Sequence, residues 1–234
     1  MLEYLRQLVR RVSKSAFIRP ILRPIRVAHR RNKFRKTGIE NLRLFDECIT
    51  TLGLPYTLAF GTMLGAVREH GFIKYDQDID VAMWVEDYTP KLRSCLEKKG
   101  FSLFHKLTVD GGNCGLEETF VRDGVHIDVF YIYPAIDQYP YYCDFVGFDG
   151  TISFDENMEI YGGILPRRIQ LPWKKEFQRV SFERLKLPIT TNAEEILSFR
   201  YGTDYMTPNP NWNYTCVNDY TYIWKEKKGI VEHK

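Results

Sequence analysis

Apolar positions along the middle of the chain repeat with helical and then strand periods. Ile39, Leu42, Phe45, Ile49 and Leu52 recur at three- and four-residue steps, the spacing of one helical face. Thr37 and Glu40 stand ahead of this run at capping-box spacing and Gly53 follows it, so a helix is predicted from Thr37 to Leu52. Tyr56 to Phe60 reads as a short strand. A Gly61-Thr62 turn and a helix from Met63 to His70, stopped by Gly71, come next. Ile73 to Met83 reads as a second strand. Thr89 and Pro90 open a helix that Gly100 closes, and residues 101–109 return to strand. Glu117 to Arg122 and Val125 to Tyr133 flank Asp123-Gly124, a hairpin signal. Ser181 to Ile189 reads as strand, and Asn192 with Glu195 opens a last helix ending near Gly202. Residues 134–173, rich in Tyr, Gly and Pro, carry no clear period. There is no internal repeat.

Charge divides the chain in two. Residues 1–36 hold twelve Lys or Arg against one acid, Glu3, so this arm carries +11 of a total of +3 and the remainder carries −8. Leu2, Leu5, Leu8, Val9, Val12 and Ala16 fall within one helical arc, with Arg6, Arg10, Arg11 and Lys14 on the other side. Pro20 and Pro24 are expected to break that helix. The arm therefore reads as a basic amphipathic segment, with residues 1–24 suited to an anionic membrane surface. A helix packed on the body is the competing reading. The arm lacks the aromatic and basic alternation of a nucleic-acid binder. The body is then residues 37–234. No apolar run is long enough to span a bilayer and no signal peptide is visible, so a cytoplasmic location is expected, peripheral to the membrane at most. The five cysteines lack zinc-knuckle or redox spacing and read as buried thiols.

The chemistry concentrates in Tyr75-Asp76-Gln77-Asp78-Ile79-Asp80-Val81. In a strand, Asp76, Asp78 and Asp80 share one face while Ile79 and Val81 point to the other. Carboxylates crowded along one edge repel each other, and a divalent cation relieves that repulsion while taking the oxygen ligands it prefers. The alternative is a solvated acidic edge. His126-Ile127-Asp128-Val129-Phe130 puts another carboxylate among strand-forming residues. If the two strands are neighbours, Asp128 completes a triad. Gly61 and Thr62 lie where a strand gives way to a helix, a place that favours phosphate, and Arg68 lies two turns further on. Arg167, Arg168, Lys174 and Lys175 read as solvated surface charges.

The stretch from Phe60 to Met83, FGTMLGAVREHGFIKYDQDIDVAM, closely resembles the signature of the LicD family, and HIDVF resembles its third-carboxylate strand. Tyr201 to Met206 resembles the family's C-terminal segment. The resemblance covers the chain from about residue 37 and omits the basic arm. It implies an α/β fold of the polymerase-β-like nucleotidyltransferase type, a mixed sheet flanked by helices. It also implies Mg2+- or Mn2+-dependent transfer of a phospho-alcohol, such as phosphocholine or phosphoribitol, from a CDP-alcohol donor to a sugar hydroxyl of a glycan or lipid-linked glycan. By motif, Asp78, Asp80 and Asp128 carry over as metal-binding and catalytic carboxylates. Gly61 and Thr62 carry over as the phosphate-facing turn; Arg68, by its place on the helix, and Asp76, as a donor contact or a residue behind the metal ligands, are assigned to the substrate side. Two rivals remain: a nucleotidyltransferase moving a nucleoside monophosphate, and a catalytically silent scaffold in glycan assembly.

Overall fold

A computed structural model describes residues 19–209, residue 212 and residues 220–232, with side chains from residue 32 onward. The basic amphipathic pattern of residues 2–16, Cys216 and the Asn213-Tyr214-Thr215 sequon lie outside the described residues.

The chain is a mixed α/β structure. Helix α1 spans Arg19–Leu52, β1 Thr57–Leu58, α2 Phe60–Arg68, β2 Asp78–Trp84, α3 Pro90–Lys98, β3 Ser102–Val109, β4 Gly115–Arg122 and β5 Val125–Ile132. Then come β6 Tyr141–Val146, α4 Phe154–Tyr161, β7 Leu165–Gln170, β8 Phe177–Phe182, β9 Leu185–Thr190, α5 Ala193–Tyr201, β10 Thr221–Ile223 and β11 Gly229–Glu232. The main sheet has the order β1-β2-β5-β4-β3-β11, with β2 and β5 parallel and the other pairs antiparallel. A second sheet has the order β10-β7-β6, and β8 and β9 form a separate hairpin.

The predicted helical face is buried: Leu42, Phe45 and Ile49 are at most 1% exposed. The start predicted at Thr37 is not there. Thr37 is interior to α1, and its hydroxyl donates to the Lys33 carbonyl one turn back at 3.1 Å, the usual resort of a threonine inside a helix. The described helix, Arg19–Leu52, contains both Pro20 and Pro24; the helix of residues 2–16 that they were expected to break lies outside the described residues. The helix thus crosses position 36/37. Asn41, fully buried, ties it to the sheet. Its Nδ2 donates to the Arg122 carbonyl (2.9 Å) and its Oδ1 accepts from Arg122 Nη1 (2.7 Å).

The hairpin signal is realised. Asp123 (φ +53) and Gly124 (φ +71) both take the left-handed conformation that a two-residue turn between β4 and β5 requires. The strand expected over 181–189 is instead two, turning at Glu183-Arg184 with Glu183 at φ +49. That turn lacks the Gly or Asn that would announce it. Residues 134–173 contain β6, α4 and β7. Arg167, expected on the surface, is 3% exposed and bonds Asp144 in a two-pronged ion pair (2.8 and 2.6 Å). Arg168 lies against the rings of Tyr141, Tyr222 and Trp224. Cys48 and Cys95, expected as thiols, form a disulfide joining α1 to α3, while Cys114 and Cys143 are free. Among the described residues no helix is long and apolar enough to cross a membrane.

Candidate active site

The parallel pairing of β2 with β5 fixes the centre of the site. Its register sets Asp80 beside Asp128 and Asp78 beside His126. Ile79, Val81, Ile127 and Val129 alternate with these residues and are fully buried. Core packing therefore forces the carboxylates onto the other face. On that face Phe130 meets Tyr142 of β6 at 5.6 Å between ring centres.

Helix α2 starts one residue before Gly61, so Gly61 and Thr62 belong to its first turn rather than to a preceding loop. Thr62 is 1% exposed and its hydroxyl accepts the Asp80 N–H at 2.9 Å. The Ala59 N–H donates to the Asp80 carbonyl at 3.0 Å. The Gly61 N–H bonds the Asp80 carboxylate. The positive end of α2 therefore rests on a carboxylate. A Cβ added at Gly61 would lie 3.1 Å from Asp76 Oδ1 and 3.5 Å from Asp80 Oδ2, so glycine is what lets this backbone approach both acids. The preceding residue, Phe60, is in the left-handed region at φ +41, an uncommon place for an aromatic residue. Its ring is held by Phe130 and Tyr142, each 4.9 Å away.

Asp76 was expected to extend the acidic strand. It lies instead in the loop before β2, where its Oδ2 accepts the Ile73 N–H at 3.2 Å and its own N–H donates to the Ile73 carbonyl. The loop still delivers it to the same groove as Asp78 and Asp80. Burial, and then the charge of Asp78, push its carboxyl up to about 8. Asp80 is held well above the usual carboxylate range by burial and then by Asp78, Asp128 and Asp76. Asp128 is raised to about 7 by burial and then by Glu117, against the lowering effect of its Thr119 hydrogen bond.

Asp128 heads a short hydrogen-bond chain. Thr119 Oγ1 donates to Asp128 Oδ1 at 2.5 Å, and His105 Nε2 lies 3.0 Å from the same hydroxyl. Because the hydroxyl proton goes to Asp128, His105 must supply the proton of the second bond from Nε2. Burial lowers the His105 pKa, opposed by Asp128. Glu117, two residues from Thr119 on β4, is raised to about 8 by burial and then by Asp144.

Asp76, Asp78, Asp80, Gly61 and Arg68 line one groove of about 1040 Å³; Thr62 and Asp128 adjoin it without lining it. Arg68 gives Nε to Glu69 (3.1 Å) and Nη1 to the Tyr205 carbonyl (3.3 Å). Among the groove residues that sequence reasoning did not single out are three charged ones, Glu117, Asp144 and Arg200. Glu117 shares a face of β4 with Thr119, but the alternation of Leu116 and Phe120 on the other face gave no sign that this face is buried too. Nothing in the sequence marked Arg200.

The donor set suits a hard divalent cation: all oxygen, mutually repelling, and with no Lys or Arg in ion-pair contact with Asp80 or Asp128 among the described residues. Among the described residues no three such side chains are already drawn into a metal cage. The fit therefore rests on donor chemistry and on the uncompensated charge.

Comparison with known proteins agrees with this geometry. Residues 53–189 match the LicD/FKTN/FKRP, nucleotidyltransferase domain. The mouse ribitol-5-phosphate transferase FKTN is 33% identical over 105 residues, covering 44% of this chain and 22% of that protein. The Caenorhabditis elegans protein T07A5.1 is 31% identical over 201 residues, covering 82% of this chain and 49% of its own length. RP689 of Rickettsia prowazekii is 25% identical over 194 residues, 75% and 72% of the two chains. The chain thus spans less than a quarter of the FKTN proteins it matches. With the family match running from the end of α1 through most of β9 and taking in all three aspartates, the chain belongs to the LicD/FKTN/FKRP family.

Proposed function

We propose that this protein transfers a phospho-alcohol, phosphocholine, phosphoribitol or similar, from a CDP-alcohol to a sugar hydroxyl of a glycan or its lipid-linked precursor, on a nucleotidyltransferase-type fold. The observation that carries this reading is the register of β2 and β5, which sets Asp80 beside Asp128 at a groove large enough for a nucleotide. Membership of the family supports the reaction class.

Asp78, Asp80 and Asp128 would hold Mg2+ or Mn2+, whose charge offsets that of a diphosphate and acidifies a nearby hydroxyl. In the reaction the sugar oxygen bonds to the phosphorus bearing the alcohol, the bond to the diphosphate bridge oxygen breaks, and CMP leaves with the electron pair. Asp128 accepts the hydroxyl proton. Thr119 occupies its Oδ1, so Oδ2 is the oxygen that takes it. Asp76 and the Gly61 backbone border the phosphates, and Thr62 holds β2 against α2. Arg68 lies at the substrate side of the groove. The catalytic unit takes in residues 37–234 together with the adjoining turns of α1, where Phe34 packs into the core.

The test is a panel of CDP-alcohols incubated with Mg2+ and a glycan acceptor, the product read by mass spectrometry. Acceptor mass should rise by the alcohol phosphate. A rise by CMP would establish the nucleotidyltransferase reading, and no metal binding by calorimetry would favour a scaffold. The basic arm gives the second part of the proposal. Residues 1–24 bind an anionic membrane surface, so deleting them should release the protein from phosphatidylglycerol vesicles and spare turnover on a soluble acceptor. Equal sedimentation of both forms would refute that role.

A further inference from the structure

One arginine in the groove wall meets no acid among the described residues. Arg200, in the last turn of α5, lies between two rings, its guanidinium carbon 5.6 Å from the centre of Phe60 and 5.3 Å from that of Trp212. Its Nε is sealed from solvent and has no hydrogen-bond partner. No ion pair or hydrogen bond involves the rest of its guanidinium among the described residues. The neighbouring arginines differ. Arg68 is bonded to Glu69 and the Tyr205 carbonyl, Arg167 to Asp144, and Arg168 to Asp137 at 3.4 Å.

A guanidinium cannot shed its charge, and the sealed, unbonded Nε of Arg200 adds a cost that an anion on the remaining N–H groups would offset. Phe60 and Trp212 lie beside the guanidinium and its Nε is sealed, so the edge formed by its Nη groups is what Arg200 offers the groove it lines. That edge is a planar fork matched to two oxygens of one phosphoryl group. The same groove brings in the carboxylates, and Phe60 connects the two features. Its ring supports Arg200, and its backbone opens the helix whose Gly61 N–H bonds Asp80.

We propose that Arg200 is a substrate-binding residue that grips a phosphoryl group of a diphosphate. The identity of that diphosphate as a cytidine-activated donor rests on the function proposed above; the anion site does not.

The experiment is calorimetric titration of the full chain with inorganic pyrophosphate and with CDP, each with excess Mg2+, for wild type, R200Q and R200K, with UDP and ADP titrated into the wild type for comparison. Wild type should bind both. R200Q should weaken both by at least about tenfold, the scale of a lost charge-assisted hydrogen bond. R200K, which keeps the charge and loses the fork, should fall between. Wild-type affinity for pyrophosphate in R200Q, or no pyrophosphate binding by the wild type, overturns the proposal. If R200Q does not fold, R200K decides, and undiminished affinity there overturns it. Pyrophosphate binding that needs Arg200, with no preference for CDP over UDP or ADP, sustains the proposal and counts against the cytidine donor.

Discussion

Two acidic regions border the groove, and they are solved in opposite ways. In the second sheet, Asp144 faces Arg167 across β6 and β7 and is bonded by both prongs of its guanidinium. In the main sheet, Asp80 and Asp128 stand side by side, held by neutral donors, the Gly61 N–H and the Thr119 hydroxyl. Neutral donors orient a carboxylate without cancelling its charge. Asp144 comes with its own base, whereas Asp80 and Asp128 meet no Lys or Arg among the described residues and are instead raised above the usual carboxylate range.

The contrast can be broken from either side. The largest effect should come from Asp80→Asn or Asp78→Asn, which should abolish phospho-alcohol transfer, read by mass spectrometry, because an amide replaces a carboxylate poorly at a hard cation. The melting temperature should hold or rise, since repulsion is removed; activity within a few-fold of wild type would sink the site. Arg167→Met should do the reverse. It strands Asp144 at the buried pair, and chemical denaturation should register a loss of about 3–5 kcal/mol. Asp128→Ala should lower turnover by at least about a hundredfold, the low end for a positioned base. Donor affinity by calorimetry should stay near wild type. Donor binding lost as completely as in Asp78→Ala would mean that all three acids serve one cluster. Thr119→Val should be mildest, costing about 1 kcal/mol for its hydrogen bond to Asp128. A loss as great as that of Arg167→Met would show that Thr119 carries packing rather than orientation.

Much of this was legible in the sequence because it depends on local pattern. Alternation around Asp123-Gly124 announced the β4–β5 hairpin, and alternation in β2 separated Asp78 and Asp80 from Ile79 and Val81. What failed depended on context. Thr37 has the composition of a cap, but the preceding residues continue the helix and its hydroxyl turns back to Lys33. Asp76 keeps the two-residue spacing, yet the chain turns at Ile73–Asp76 before the strand begins. Arg167 and Arg200 look alike in sequence. One has a partner across a sheet and the other has none among the described residues, and only the tertiary fold distinguishes them.

The parallel alignment of β2 and β5 also bears on the order of folding. Hairpin β4–β5 closes through a two-residue turn and can form early, but β2 reaches β5 only after α3, β3 and the hairpin have been traversed. Contacts so distant along the chain are late events. Asp80 and Asp128 therefore become neighbours after the β4–β5 hairpin has closed. During refolding, affinity for a divalent ion should return later than the early secondary structure, read by far-UV circular dichroism.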